Sequence, residues 1–178
     1  MTGLNKAEVR KEQIARSAER VFAEKGFHEA TIADIARVAG VSEATIYEYF
    51  SNKEGLLFSI PLETTRRNYE NASFHLKLIR GAANRLRAVI YLYLSFYQEN
   101  PDYAAVVLLI LNQNRKFRQT EAAQVISDGW REIIHYIKDG VASGEFRPDT
   151  NPLMVHAMIM GTIEHLAVSY THLTLPTN

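Results

Sequence analysis

The 178-residue sequence contains no cysteine. Disulfides and thiolate chemistry are therefore excluded, and a cytoplasmic location fits. It has no run of about twenty apolar residues, so no membrane-spanning helix is expected. Its first eleven residues are polar, without the apolar stretch of a signal peptide. Net charge is missing as well: Lys and Arg number 20, and Asp and Glu number 20. Nucleic-acid binders are often basic, so composition alone does not suggest one. Catalytic motifs are also lacking. There is no H-E-x-x-H pair, phosphate loop or nucleophile elbow. His28, His75, His135, His156 and His165 are scattered. Glu164 and His165 are neighbours, which on a helix point about 100° apart. No active-site constellation emerges, so no catalytic residue, metal site or cofactor is expected. Strand alternation, internal repeats and low-complexity tracts are not seen either.

What is present is apolar and helical. Hydrophobic residues make up 47%, too many for a disordered chain. Residues 31–53 read T-I-A-D-I-A-R-V-A-G-V-S-E-A-T-I-Y-E-Y-F-S-N-K. Thr31 is a helix N-cap, and Asp34 completes a capping box. Ile32, Ile35, Ala36 and Ala39 fall on one helical face. Gly40 ends that helix in the left-handed conformation. Val41 plugs the corner, and Ser42 caps a second helix. That helix turns Ile46 and Phe50 inward and leaves Glu43, Ala44, Thr45, Tyr47 and Tyr49 on other faces. Two short helices around a glycine corner form the helix-turn-helix pattern. A helix over residues 6–25, with Val9, Ile14, Ala18, Val21 and Phe22 near helical spacing, precedes and braces the pair. Gly26 stops it.

With that first helix, the stretch resembles the TetR family of bacterial transcriptional regulators. The resemblance runs over about residues 10–57. It is carried by Phe22, Gly26-Phe27, Thr31-Ile32, Asp34-Ile35-Ala36, Ala39-Gly40-Val41-Ser42, Thr45-Ile46-Tyr47-Glu48-Tyr49-Phe50 and Asn52-Lys53-Glu54. It implies an all-α chain with a DNA-binding domain at residues 1–55 and a helical ligand-binding and dimerisation domain at 56–167. It further implies a repressor that, when intact, is a homodimer on a palindromic double-stranded DNA operator and is released by a small apolar effector. Thr45, Tyr47, Tyr49 and Lys53 match positions that hold phosphates or pack on the sugar backbone. Glu43 and Ala44 match base-edge positions, and Thr31 and Ser42 complete the candidate DNA-binding set.

The charges leave two readings open at several of these places. Up to Gly55 there are eight basic and nine acidic residues, which implies few phosphate contacts, helped by helix N-termini. Glu43 either accepts from a cytosine amino group or serves only the electrostatics of its helix N-terminus. Lys6, Arg10 and Lys11 form either a solvated face or a phosphate-contacting arm. A helical interaction module that has lost DNA binding is the competing class. Retention of Thr45, Tyr47, Tyr49 and Lys53 argues against it.

The remainder reads as a helical bundle. A helix is expected over residues 52–71, kinked or broken at Pro61. Another follows over 82–99, carrying Leu86, Val89, Ile90, Tyr93, Leu94 and Tyr97. Asn100-Pro101-Asp102 breaks it, 103–111 is a short apolar run, and 112–116 loops. A helix over 120–143 follows. Asn151 and Pro152 are the N-cap and first residue of the next. The aromatic side chains suit a core, but the resemblance implies an effector pocket inside the bundle. Tyr69, Leu94, Tyr97, Tyr103, Trp130 and Ile134 are the candidate ligand-binding residues. Gly144-Glu145-Phe146 and Met160-Gly161-Thr162-Ile163 are similar to members responding to long-chain acyl-CoA or fatty acids. An aromatic or cationic drug is the competing effector. Little buried acid is expected beyond Glu164, which favours the acyl chain.

The end of the chain, V-S-Y-T-H-L-T-L-P-T-N over residues 168–178, resembles read-through of a sequencing adapter. It is expected to be a non-native tail replacing a last helix. Residues 151–167 would then form only one of the two helices that pair across the dimer, exposing Leu153, Ala157, Met160 and Gly161 and weakening it.

Overall fold

The computed structural model describes residues 6–174, with the backbone alone for residue 63 and for residues 65–74 and 170–174. Among the described residues every regular element is helical, as the sequence suggests. The first, α1, is Lys6–Glu29, α2 is Ile32–Ala39 and α3 is Glu43–Tyr49. Gly26 interrupts α1 with φ 74° and ψ 168°, so only a short turn continues beyond it. Buried Ile14, Ala18, Val21 and Phe22 form the inner stripe of α1. Val9, expected on that stripe, is 50% exposed.

The long connecting helix α4, Lys53–Leu78, differs from expectation. It does not stop near residue 71, and it passes through Pro61 as one helix. Proline removes one backbone donor and crowds the preceding turn. Pro61 is itself fully buried, so its ring gains core contacts that offset the donor lost to the Leu57 carbonyl. Tertiary packing thus outweighs the local penalty.

The bundle continues with α5, Ala82–Glu99, and α6, Pro101–Ala105. The apolar run then winds as a π-helical segment, Val106–Leu111, whose Val106, Val107, Leu108 and Leu111 are buried. A 3-10 turn, Phe117–Gln119, leads to α7, Glu121–Ala142, and then α8, Pro152–Thr174. The expected Asn151 cap is present, its Oδ1 accepting from Leu153 N at 3.0 Å, and Thr120 caps α7 in the same way, its Oγ1 accepting from Ala123 N at 3.2 Å. Helix α8 carries straight on past residue 167 to Thr174.

A single hydrophobic core runs from Ile14 in α1 to Ala167 in α8. Helix α1 packs on α2 and α4, and also on α6 and the π-helical segment. The first three helices therefore rest directly on the bundle that follows. Lys116, after the π-helical segment, pairs with Glu54 at the start of α4 at 3.0 Å. Of the α8 face expected to be exposed, Leu153, Ala157 and Gly161 are exposed, but Met160 is 5% exposed and packs into the chain's own core. Among the described residues, α8 turns the large apolar side chains of Leu153, Met154, Met158 and Leu166 outward.

Candidate nucleic-acid interface and effector site

The corner between α2 and α3 is fixed by local chemistry. Thr31 Oγ1 accepts from Asp34 N at 3.1 Å, and Thr31 N donates back to Asp34 Oδ2 at 3.2 Å. Lys25 and Arg37 also reach Asp34, at 2.8 and 3.2 Å. The hydrogen bond from Lys25, then that with Thr31, holds the Asp34 carboxyl far below its ordinary range. Gly40 closes α2 at φ 65°, a conformation that side chains with a Cβ resist. From α1, Gln13 Nε2 donates to the Ala39 carbonyl at 2.9 Å. Ser42 Oγ accepts from Thr45 N at 3.1 Å and starts α3.

On α3, Ile46 is fully buried and Phe50 is 6% exposed. These anchors turn the opposite surface outward. Glu43, Ala44 and Tyr47 are exposed there, Tyr47 at 53%. Thr45 is half-buried, with its hydroxyl 3.0 Å from that of Ser42. Thr31 and Ser42 are exposed caps. Tyr49 is half-buried and packs against the core, so less of its ring reaches outward than sequence reasoning allowed.

Lys53 has a partner that the sequence did not reveal. Its Nζ donates to the carbonyls of Phe27 and Ala30, at 2.7 and 2.8 Å, and approaches that of His28 at 3.4 Å. It also lies 4.6 Å from the Phe27 ring centroid. The ammonium therefore closes the end of α1 onto the start of α4. A phosphate contact by Lys53 would require giving up those bonds.

The candidate effector residues do not converge on one spot. Tyr97 and Tyr103 are buried, and both rings pack on Phe96, at 5.9 and 5.1 Å. Burial pushes the Tyr97 hydroxyl well above its ordinary range, with the Tyr103, Tyr93 and Glu164 charges adding to it. Tyr103 and Phe96 also line a cleft of about 760 Å³ between α1, α4, α5 and α6. Trp130 belongs to a separate contact, its ring 6.4 Å from that of His156 on α8. Leu94 and Ile134 are half-buried. The side chain of Tyr69 lies outside the described residues. Among the described residues no cluster could hold a metal ion, and no helix is long and apolar enough to cross a membrane.

Glu19 is not marked by any motif in the sequence, and Glu145 is marked only within the Gly144-Glu145-Phe146 resemblance, without its capping role. Gly81, before α5, offers no side chain to cap the helix. Glu145 does so from a distance, accepting from Ala82 N at 3.0 Å and Ala83 N at 3.1 Å. Those two bonds lower its carboxyl from the ordinary value. Beside it, Phe146 lies on Gly140 so closely that a Cβ there would fall 2.2 Å from the ring. Glu19 sits on α1 next to the buried stripe and lines the cleft. Burial, then the charge of Asp102 on α6, pushes its carboxyl up to about 7, with Arg16 opposing.

The Glu19 shift has a consequence for stability. In the unfolded chain Glu19 ionises near 4.5, and in the folded chain near 7. Across that window the folded state holds a proton that the unfolded state has lost, so stability falls as pH rises. Thermal melts of wild type and Glu19→Gln should thus diverge between pH 5 and pH 8. The variant should gain relative to wild type, the difference levelling off above about pH 7. A constant difference across that range would contradict the assignment.

Comparisons with known proteins agree with this arrangement. Residues 14–60 match the family model for bacterial regulatory proteins of the tetR family. Residues 68–172 match that of the C-terminal region of YsiA-like proteins. The fatty acid metabolism regulator protein of Bacillus subtilis is 28% identical over 158 residues, 89% of this chain and 81% of that protein. A crystal structure of the transcriptional regulator FadR from Bacillus subtilis, in complex with stearoyl-CoA, superposes with a TM-score of 0.81 at 30% identity. It covers 90% of this chain and 87% of that one. The fatty acid degradation regulator FadR from Bacillus halodurans has the same fold, with a TM-score of 0.82 at 24% identity over 92% of this chain and 84% of that one.

Proposed function

The chain belongs to the tetR family of DNA-binding transcriptional regulators, and from that premise we propose that it is a repressor released from a palindromic operator by long-chain acyl-CoA. The observation that carries the DNA half is the outward face of α3. Glu43, Ala44 and Tyr47 stand exposed on a helix anchored by Ile46 and Phe50. A short helix held rigid and presenting such a face suits a major groove. In this reading Tyr47 and Thr45 meet the backbone, and Glu43 and Ala44 meet base edges. Thr31 and Ser42 hold the helices that place them.

The homodimer is part of the same proposal. Leu153, Met154 and Met158 are each about two-thirds exposed on α8. A second copy would cover them, and two reading heads would then meet successive half-sites. The effector half rests on likeness to the stearoyl-CoA-bound regulator and on the apolar, aromatic interior around Tyr97 and Leu94. A ligand favouring a conformation whose heads no longer fit DNA lowers operator affinity through linkage. The proposed site of action is the cytoplasm.

Stearoyl-CoA should bind the protein in calorimetry and weaken operator binding by about 5–150-fold, the usual range of allosteric coupling. Leu94→Trp should block this effect if the residue lines the acyl tunnel. Tyr47→Ala should weaken binding to all duplexes alike, whereas Glu43→Ala should change sequence preference. No heat with acyl-CoA, together with tight binding of an aromatic cation, would instead favour a drug-responsive repressor.

A further inference from the structure

Among the described residues, one shielded side-chain polar atom in the bundle has no hydrogen-bond partner. That atom is His156 Nε2. The residue lies on the inner side of α8, on a line with Met160, Ile163 and Ala167, all buried. Its ring lies tilted by 55° against that of Trp130 on α7. Burial lowers its pKa from the ordinary value, so at neutral pH the imidazole is uncharged. A neutral imidazole carries one N–H and one acceptor nitrogen. The residue as a whole is half-buried, but Nε2 itself is shielded, and a shielded nitrogen left unpaired is costly. A residue kept in this state gives up stability in the ligand-free fold.

We propose that His156 is the polar anchor of the effector, its Nε2–H donating to a carbonyl oxygen of an acyl ligand that enters between α7 and α8. This deepens the acyl-CoA reading and rests on it. The surroundings select the ligand's chemistry. Trp130, Val155 and Ile159 are apolar neighbours on the two helices, each packed against the core, and they suit a hydrocarbon chain. A single neutral donor suits one uncharged acceptor, such as a thioester carbonyl. It does not suit a cation, which an N–H group would repel. The bond exists only in the ligand-bound state, so its energy favours that state, as differential binding requires. Ligand entry would thus satisfy an atom that the ligand-free fold leaves orphaned.

His156→Phe tests this, because phenylalanine keeps a planar ring and removes the unpaired nitrogen. The variant should melt a few degrees higher than wild type, since removing an unsatisfied group is neutral or stabilising. Its affinity for stearoyl-CoA should fall at least fivefold, with nothing left to bond the carbonyl. His156→Gln, which restores a side-chain N–H, should recover part of the affinity. Imidazole ¹⁵N spectra of wild type should show a protonated Nε2 that shifts on adding stearoyl-CoA. The outcomes separate two failures. If wild type does not bind stearoyl-CoA, the effector reading falls and this inference with it. If wild type binds, but His156→Phe binds equally well and the ¹⁵N signals stay put, the inference alone is overturned. A lower melting temperature with unchanged affinity would likewise make His156 a packing residue only.

Discussion

Phe22→Ala should destabilise the protein by about 3–5 kcal/mol, the cost of emptying a large aromatic site in a packed core. Phe22 is fully buried, and its ring is 5.8 Å from that of Phe27. It lies on the stripe of α1 whose other members, Ile14, Ala18 and Val21, are buried with it. The cavity would open where α1 supports α2 and meets the first turns of α4. In a chain of this size such a loss lowers the melting temperature by roughly 10 °C. DNA binding should weaken sharply even below that temperature, because the position of α3 depends on α1. A thermal melt with an operator titration at 20 °C checks both. Unchanged stability would mean that the first three helices are not held together by this stripe.

Lys53→Met should have the second-largest effect, and it separates two roles for one residue. Methionine keeps the apolar stem of the side chain and removes the ammonium. The carbonyls of Phe27, His28 and Ala30 then lose their common donor. Charge-assisted hydrogen bonds of this type contribute roughly 1.5–3 kcal/mol, and the contact with the Phe27 ring is lost as well. We expect the variant to be destabilised without DNA present. If Lys53 acted only on phosphate, stability would be unchanged and only the salt dependence of DNA binding would flatten. Denaturant unfolding of the free protein decides between the two.

The local features of the reading head were legible because local rules fix them. Thr31, Asp34, Gly40 and Ser42 act on neighbours within a few residues, and the expected bonds and the left-handed φ at Gly40 are present. Buried Ile32, Ile35, Ala36 and Ala39 follow from helical periodicity in the same way. Features that depend on distant partners were not legible. Lys53 finds carbonyls more than twenty positions earlier, and Glu145 caps a helix start more than sixty positions away. Pro61 reads locally as a break, yet packing carries α4 through it. Residues 103–111 read as an apolar run, but nothing in the pattern announces the wider π-helical winding. Leu153, Ala157 and Gly161 lie on the outer face of α8 as expected, but Met160, one position and about 100° round the helix from Gly161, turns into the core. His156 carries no mark in the sequence, because the absence of a partner shows only once its neighbours are placed.

The central claim is that the exposed face of α3 reads DNA. Selection of bound duplexes from a random pool, followed by a salt titration on the recovered sequence, tests it most directly. The account predicts enrichment of a palindrome with half-sites about one helical turn apart, bound with affinity that falls as salt rises. It also predicts that Tyr47→Ala recovers the same palindrome more weakly. Recovery of no common sequence, with Tyr47→Ala indistinguishable from wild type, would contradict it.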